Sequence, residues 1–166
     1  MAVSLRRYRL DDAAATSEVF VRAVRQTASR DYDAQQVDAW VDARRDLVAW
    51  AVARQAARTV VAERDGRVVG FTDVDDTGYV DMLFVDPDVA GQGVASLLLD
   101  HVETQARTKG VQRLSAHASI TAAPVFVAKG FTVEQERNPV LGGVRFTNFL
   151  VAKSLEVPGT APATGR

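Results

Sequence analysis

The sequence predicts a mixed α/β fold: a mostly antiparallel central sheet that contains one parallel strand pair, with helices packed on both faces. Three observations carry this. The apolar pattern changes period, reading as helical over residues 11–57 and as strand-like over residues 59–87. Asp65-Gly66 lies between two strand-like runs and is a strong hairpin signal, so those strands are antiparallel. A strand–helix–strand unit then runs from Tyr79 to Ala118, and a helical crossover joins parallel strands.

Each element follows in chain order. Val3 to Leu10 alternates loosely and reads as the first strand. Asp11 and Asp12 suit the N-cap of a helix in which Ala15, Val19, Phe20, Ala23 and Val24 recur at helical spacing. Asp33 caps a second helix holding Val37, Trp40 and Val41, and Leu47 to Ala57 reads as a further helical stretch. Three strands come next, Thr59–Arg64, Arg67–Val74 and Tyr79–Val85, the last stopped by Pro87, which has no N–H for a sheet ladder. A helix from about Gln92 to Thr108 closes at Lys109-Gly110. Residues 111–118 form a strand, residues 120–129 a short helix, and FTVEQE and VRFTNFLVAKSL the last two strands. The Pro/Gly/Thr/Ala-rich tail, residues 156–166, is expected to be disordered, leaving one domain over residues 1–155.

Composition narrows the function. The 166 residues are 47% hydrophobic and 25% charged, with a net charge of −1, which suits one packed domain and argues against broad binding to nucleic acid or an anionic membrane. Cysteine is absent and histidine occurs twice, so thiol chemistry is excluded and no metal site is expected. The N-terminus lacks the apolar core of a signal peptide, and no apolar run approaches the ~20 residues that span a bilayer, so a cytoplasmic protein is expected.

The stretch VDPDVAGQGVAS carries the clearest chemistry. The first N–H groups of a helix lack intrahelical partners, and the helix dipole adds positive charge there. Gly91 and Gly93 remove side-chain bulk, Gln92, Val94 and Ala95 offer N–H groups, and Ser96 adds a hydroxyl, so an oxyanion can approach. Simple turn chemistry explains the same glycines. A Walker A loop is ruled out by the missing Gly-Lys-Ser/Thr, and a dinucleotide fingerprint by Ser96 in place of a third glycine.

These residues resemble motif A of the GNAT superfamily of acyl-CoA N-acyltransferases, with Ala90-Gly91-Gln92-Gly93-Val94-Ala95 as the core of the match. Ser119 to Phe131, SITAAPVFVAKGF, is similar to the family's motif B, and the resemblance covers about Val3 to Leu155. It implies a cofactor pose for acetyl-CoA: pyrophosphate on the N–H groups of residues 91–96, and pantetheine along Leu83, Phe84 and Val85. The thioester would lie where this strand splays from its parallel neighbour, with the Leu83 N–H polarising its carbonyl. Ser119 and Phe126 join the expected cofactor contacts. Two departures stand out. Ala90 occupies a position where the family has Gln or Arg, and Phe126 replaces a tyrosine that protonates the leaving thiolate in many members.

Direct transfer needs a neutral amine, so a base is expected. Asp81 lies in the apolar strand YVDMLFV, on the face shared by Tyr79 and Leu83, and His117 near the end of the next strand. Each reads equally well as a base or as an ordinary structural residue. Tyr79 or Tyr32 is a candidate for the missing acid. Tyr32 and Trp40 are expected to line the acceptor pocket with Asp81, core packing being the competing reading and the stronger one for Trp40. Asp73, Asp75 and Asp76 lend an acidic character that suits a cationic acceptor or a solvated turn. The expected function is transfer of acetyl from acetyl-CoA to a primary amine of a small molecule, by direct attack in a ternary complex. The alternative is a non-catalytic acyl-CoA-binding regulatory module of the same fold. An exposed edge strand near Val144–Val151 suggests a homodimer.

Overall fold

The computed structural model describes residues 2–155, so the predicted tail lies outside the described residues. Strand β1 (Ser4–Arg7) leads into α1 (Ala13–Arg22), a π-helical turn at Ala23–Thr27, α2 (Ala34–Asp42) and α3 (Leu47–Ala56). Asp33 caps α2 as expected: its carboxylate accepts from the Gln36 N–H at 2.8 Å, and the Gln36 side chain accepts from the Asp33 N–H at 2.9 Å. Asp46 caps α3 in the same way, accepting from the Ala49 N–H. Asp12 precedes α1, yet its carboxylate does not cap that helix. It accepts instead from the Arg6 guanidinium and the Arg9 N–H, because a buried carboxylate gains more from a paired cation than from a helix end.

Strands β2 (Val60–Arg64) and β3 (Arg67–Thr72) form the predicted hairpin, and Asp65 and Gly66 both adopt positive φ, as a two-residue turn matching the strand twist requires. The predicted strand Tyr79–Val85 is instead two short ones, β4 (Tyr79–Val80) and β5 (Leu83–Val85), broken at Asp81–Met82. After α4 (Val94–Thr108) come β6 (Arg113–Ser119), α5 (Ala123–Ala128) and β7 (Thr132–Arg137). The predicted last strand is also divided: β9 (Val144–Arg145) forms a hairpin with β8 (Val140–Leu141), and β10 (Asn148–Ser154) stands apart.

The break in YVDMLFV separates two sheets. Strands β1-β2-β3-β5 form an antiparallel sheet in that order, and β4-β6-β10-β7 form a second, in which β4 and β6 are the parallel pair. Because β10 lies between β6 and β7, the Asn148–Val151 part of the expected edge strand is interior, its backbone committed to two neighbours, while among the described residues Val144–Arg145 pairs with β8 alone. The first sheet is covered on both faces. Phe20, Val24, Trp50, Val61 and Phe71 form the core under α1 and α3, and Ala62, Val69, Val94 and Leu98 the core under α4. Leu99, Val102, Leu114, Phe126 and Val151 pack α4 and α5 on the second sheet. Among the described residues, no helix is long and apolar enough to cross a membrane.

Candidate active site

The glycine turn is built for close approach. Asp86, which is buried, accepts from the Asp88 N–H at 2.9 Å and from Arg22 at 2.6 Å, and so anchors the turn at its start. Gly91 and Gly93 have φ of +72° and +83°, a conformation that costs other residues ~1–2 kcal/mol, and a Cβ at either would meet no heavy atom within 4 Å. The surface above the turn is therefore open. The first helical bond of α4 runs from the Leu97 N–H to the Gly93 carbonyl. Among the described residues, the N–H groups of Gly91, Gly93, Val94, Ala95 and Ser96 donate to no backbone carbonyl. The Gln92 N–H differs from expectation: it is turned back to the Val89 carbonyl at 3.3 Å.

Two cations flank this turn. Arg64 donates to the Gln92 side chain at 2.6 Å, and Lys129 donates to the Ser96 hydroxyl at 3.0 Å while pairing with Asp100. They supply positive charge near the position where Ala90 has none. Arg64 sits one residue before the β2–β3 turn, and nothing local in the sequence marks it.

From the turn, β5 leads back to the gap between the sheets. The bonds Asp73 N–H to Met82 carbonyl and Asp86 N–H to Val69 carbonyl fix the phase of the β3–β5 ladder. Alternation then turns Phe84 toward β3 and leaves the N–H and C=O groups of Leu83 and Val85 pointing away from it. Strand β5 is the outer strand of its sheet, so those groups face the gap. The Phe84 backbone is committed to β3, and its ring packs against Phe20, Phe71 and Trp40.

The break at Asp81–Met82 is held by a buried clamp. Asp73 accepts from the Asp81 N–H at 2.9 Å, from the Met82 N–H at 3.2 Å, and from Arg54 at 3.3 Å. The Thr72 hydroxyl donates to the Met82 carbonyl at 2.7 Å. Arg54 and Asp73 are only 3% and 4% exposed, and Arg54 also lies over the Trp50 ring. Burial pushes the Asp73 carboxyl up to about 6, against the pull of the two N–H groups and Arg54.

The three expected catalytic residues meet in one cavity of about 290 Å³. Tyr79 and His117 are hydrogen-bonded, hydroxyl to Nδ1, at 3.1 Å, with rings edge to face. Burial raises the Tyr79 hydroxyl, reinforced by Asp81. Burial and Arg137 hold His117 below the ordinary imidazole value, with Asp81 opposing them, so the ring is neutral at neutral pH. The Asp81 side chain is 49% exposed and its nearest cation is Arg54, at 3.9 Å. Leu83, Phe84, Ser119, Phe126, Tyr32 and Trp40 line the same cavity.

Several expectations change. Tyr32 is buried, and its hydroxyl donates to the Thr147 carbonyl at 2.6 Å and accepts from the Ile120 N–H at 3.0 Å, so it has no proton to offer a leaving group. Trp40 is the less buried of the two aromatics, the reverse of expectation. The acidic hairpin does not face the cavity: Asp73 is in the clamp, Asp75 accepts from Thr77 and the Tyr79 N–H, and Asp76 pairs with Arg58 and Lys109. All three carboxylates are occupied by nearby donors, Asp73 and Asp76 by cations and Asp75 by neutral hydrogen-bond donors. Sequence reasoning also missed Arg44, Phe146 and Asn148, which line the cavity from two separate segments. Among the described residues, no group of three or more His, Asp or Glu side chains is arranged to hold a metal.

Comparison with known proteins agrees with this geometry. The family model for an acetyltransferase (GNAT) domain matches residues 28–152. A relative from Escherichia coli K12, the uncharacterized N-acetyltransferase YafP, is 36% identical over 147 residues, spanning 89% of this chain and 93% of that protein. The crystal structure of a GCN5-related N-acetyltransferase from Rhodopseudomonas palustris superposes with a TM-score of 0.90 at 32% identity, over 93% of this chain and 97% of that one. The structure of yncA from Salmonella typhimurium with acetyl-CoA shares the fold, with a TM-score of 0.67 at 24% identity over 98% and 99% of the two chains. With two splayed sheets, an open glycine turn and these relatives in agreement, the chain belongs to the GNAT family of N-acetyltransferases.

Proposed function

We propose that this chain transfers the acetyl group of acetyl-CoA to a primary amine of a small molecule, by direct attack within a ternary complex. One observation supports this above the rest. The free N–H groups of the glycine turn, the outward-facing backbone of Leu83 and Val85, and the Asp81–Tyr79–His117 cluster lie along one path. A pyrophosphate fits the first, a pantetheine amide chain the second, and a thioester the third. Val94, Ala95 and Ser96 would bind the phosphates with Gly91 and Gly93, while Arg64 and Lys129 stand in for the cation that Ala90 does not supply. The soluble acetyl-CoA pool makes the cytoplasm the fitting location.

The chemistry follows from the cluster. Neutral His117 accepts the proton of an arriving ammonium, and the Asp81 carboxylate draws that ammonium in. The amine lone pair attacks the thioester carbon, and the Leu83 N–H stabilises the oxyanion. Collapse expels the CoA thiolate, a fair leaving group in itself, and the proton shed by the acylated nitrogen passes to that thiolate, with Tyr79 in the same cavity able to give one proton and take up the other. A second reading, acyl-CoA binding without turnover, draws on Phe126, which has no hydroxyl at the position where the motif B resemblance implies a tyrosine. The test is release of free CoA from acetyl-CoA with a library of amines. Turnover that collapses in Gly93→Trp supports the enzyme, tight binding without turnover on any amine supports the second reading, and absence of binding overturns both.

A further inference from the structure

The cavity wall carries two opposite formal charges that do not pair with each other. Among the described residues lining it, Asp81 is the one carboxylate and Arg44 the one guanidinium; the remainder are apolar, aromatic or neutral polar. Arg44 lies just beyond the end of α2, exposed at the cavity wall. Its guanidinium forms no hydrogen bond or ion pair with any described residue. Nearby arginines are committed: Arg54 to Asp73, and Arg137 to the Asn148 side chain. Arg44 is thus a cation left available beside aromatic walls, in the same cavity as a carboxylate that suits an ammonium.

We propose that the acceptor is zwitterionic: a primary amine that also carries a carboxylate, on an apolar or aromatic body. This rests on the transferase reading above and narrows its substrate class. The ammonium meets Asp81 and His117, the carboxylate meets Arg44, and the body rests against Trp40, Leu141 and Phe146. A guanidinium matches a carboxylate with two parallel N–H donors, which fixes its orientation as well as its charge. Selectivity comes also from the penalty on other amines. An acceptor without the carboxylate covers Arg44 while leaving it unpaired, and a site built for a polar group rejects analogues that lack it.

Three probes with one body test this: phenylalanine, phenylalanine amide and phenethylamine. Their kcat/KM values are measured by CoA release, and their affinities by fluorescence quenching of Trp40 in the CoA-loaded full chain. Phenylalanine is expected to exceed the other two by roughly ten- to hundred-fold, the range of one charged hydrogen-bonded contact. Arg44→Gln is expected to erase that advantage mainly through KM, Arg44→Lys to keep part of it, and Arg44→Glu to invert it in favour of phenethylamine. Equal handling of the three probes by the native protein, or an advantage that survives Arg44→Gln, overturns the proposal. Discrimination in binding with no turnover of any amine upholds the zwitterion site and overturns catalysis instead. Arg44 is exposed, so its variants fold.

Discussion

Replacing Asp73 by Asn tests the clamp at the sheet break most directly. Asp73 is 4% exposed, and burial pushes its carboxyl up to about 6, whereas an unfolded chain holds an Asp near ~3.9. The native state therefore binds this proton more tightly than the unfolded state does. Its contribution to stability is full below about pH 4 and is lost as pH rises through about 6. The gap between about 6 and ~3.9 corresponds to about 3 kcal/mol. Asn keeps a carbonyl oxygen for the Asp81 and Met82 N–H groups but cannot ionise, and its effect on Arg54 is an offset common to every pH. The stability difference between variant and native protein should thus move by about 3 kcal/mol in the variant's favour between about pH 4 and pH 7.5. Urea unfolding followed by tryptophan fluorescence measures it, since Trp50 lies 5.0 Å from the Arg54 guanidinium. A difference that stays flat across the window, or moves against the variant, refutes the reasoning. It would mean that Arg54 and the two N–H groups outweigh burial.

Further outcomes follow from the same geometry. Gly93→Ala should lower stability by ~1–2 kcal/mol from its positive φ alone, because the added Cβ meets nothing within the fold. Its loss of acetyl-CoA affinity, read by calorimetry, should be about ten-fold or more, one charged contact. His117→Ala and Asp81→Asn should each lower kcat by ~10²–10⁴-fold. Since His117 is held below its ordinary value, the native rate should rise with pH along a limb whose midpoint lies below ~6.5, and His117→Ala should remove that limb. If both variants keep the native pH–rate profile, neither residue is the base. Tyr32→Phe leaves the Ile120 N–H and the Thr147 carbonyl without their partner, so thermal or urea unfolding should show a loss of about 2 kcal/mol, while the shape of the pH–rate profile is retained.

Local signals marked most of the elements and the phosphate end of the site. Asp33 marks a helix start, Asp65-Gly66 marks a hairpin, and Gly91 and Gly93 mark a turn that only glycine tolerates well. Each acts within a few residues, so the chain displays it directly. The sheet break was not visible in YVDMLFV, which reads as one strand. What divides it is Asp73, eight residues upstream of Asp81, whose carboxylate is brought to the break by β3 and held by Arg54 from α3. The same distance effect misled the reading of the acidic hairpin, where three carboxylates look available in sequence and each has partners in space.

The sequence alone determined that this chain builds a mixed sheet around a glycine turn able to face an anion, because periodicity, caps and turns are short-range chemistry. Only the tertiary structure decided which groups remain free to act. Tyr32 is occupied by Thr147 and Ile120, Asp73 by the clamp, and the strand at Asn148–Val151 by neighbours on both sides. Arg44, unremarkable in sequence, stands with Asp81 in one cavity. The physical reason is that a polar group's availability depends on which partners and how much water the fold brings to it, and those partners come from segments far apart in the chain.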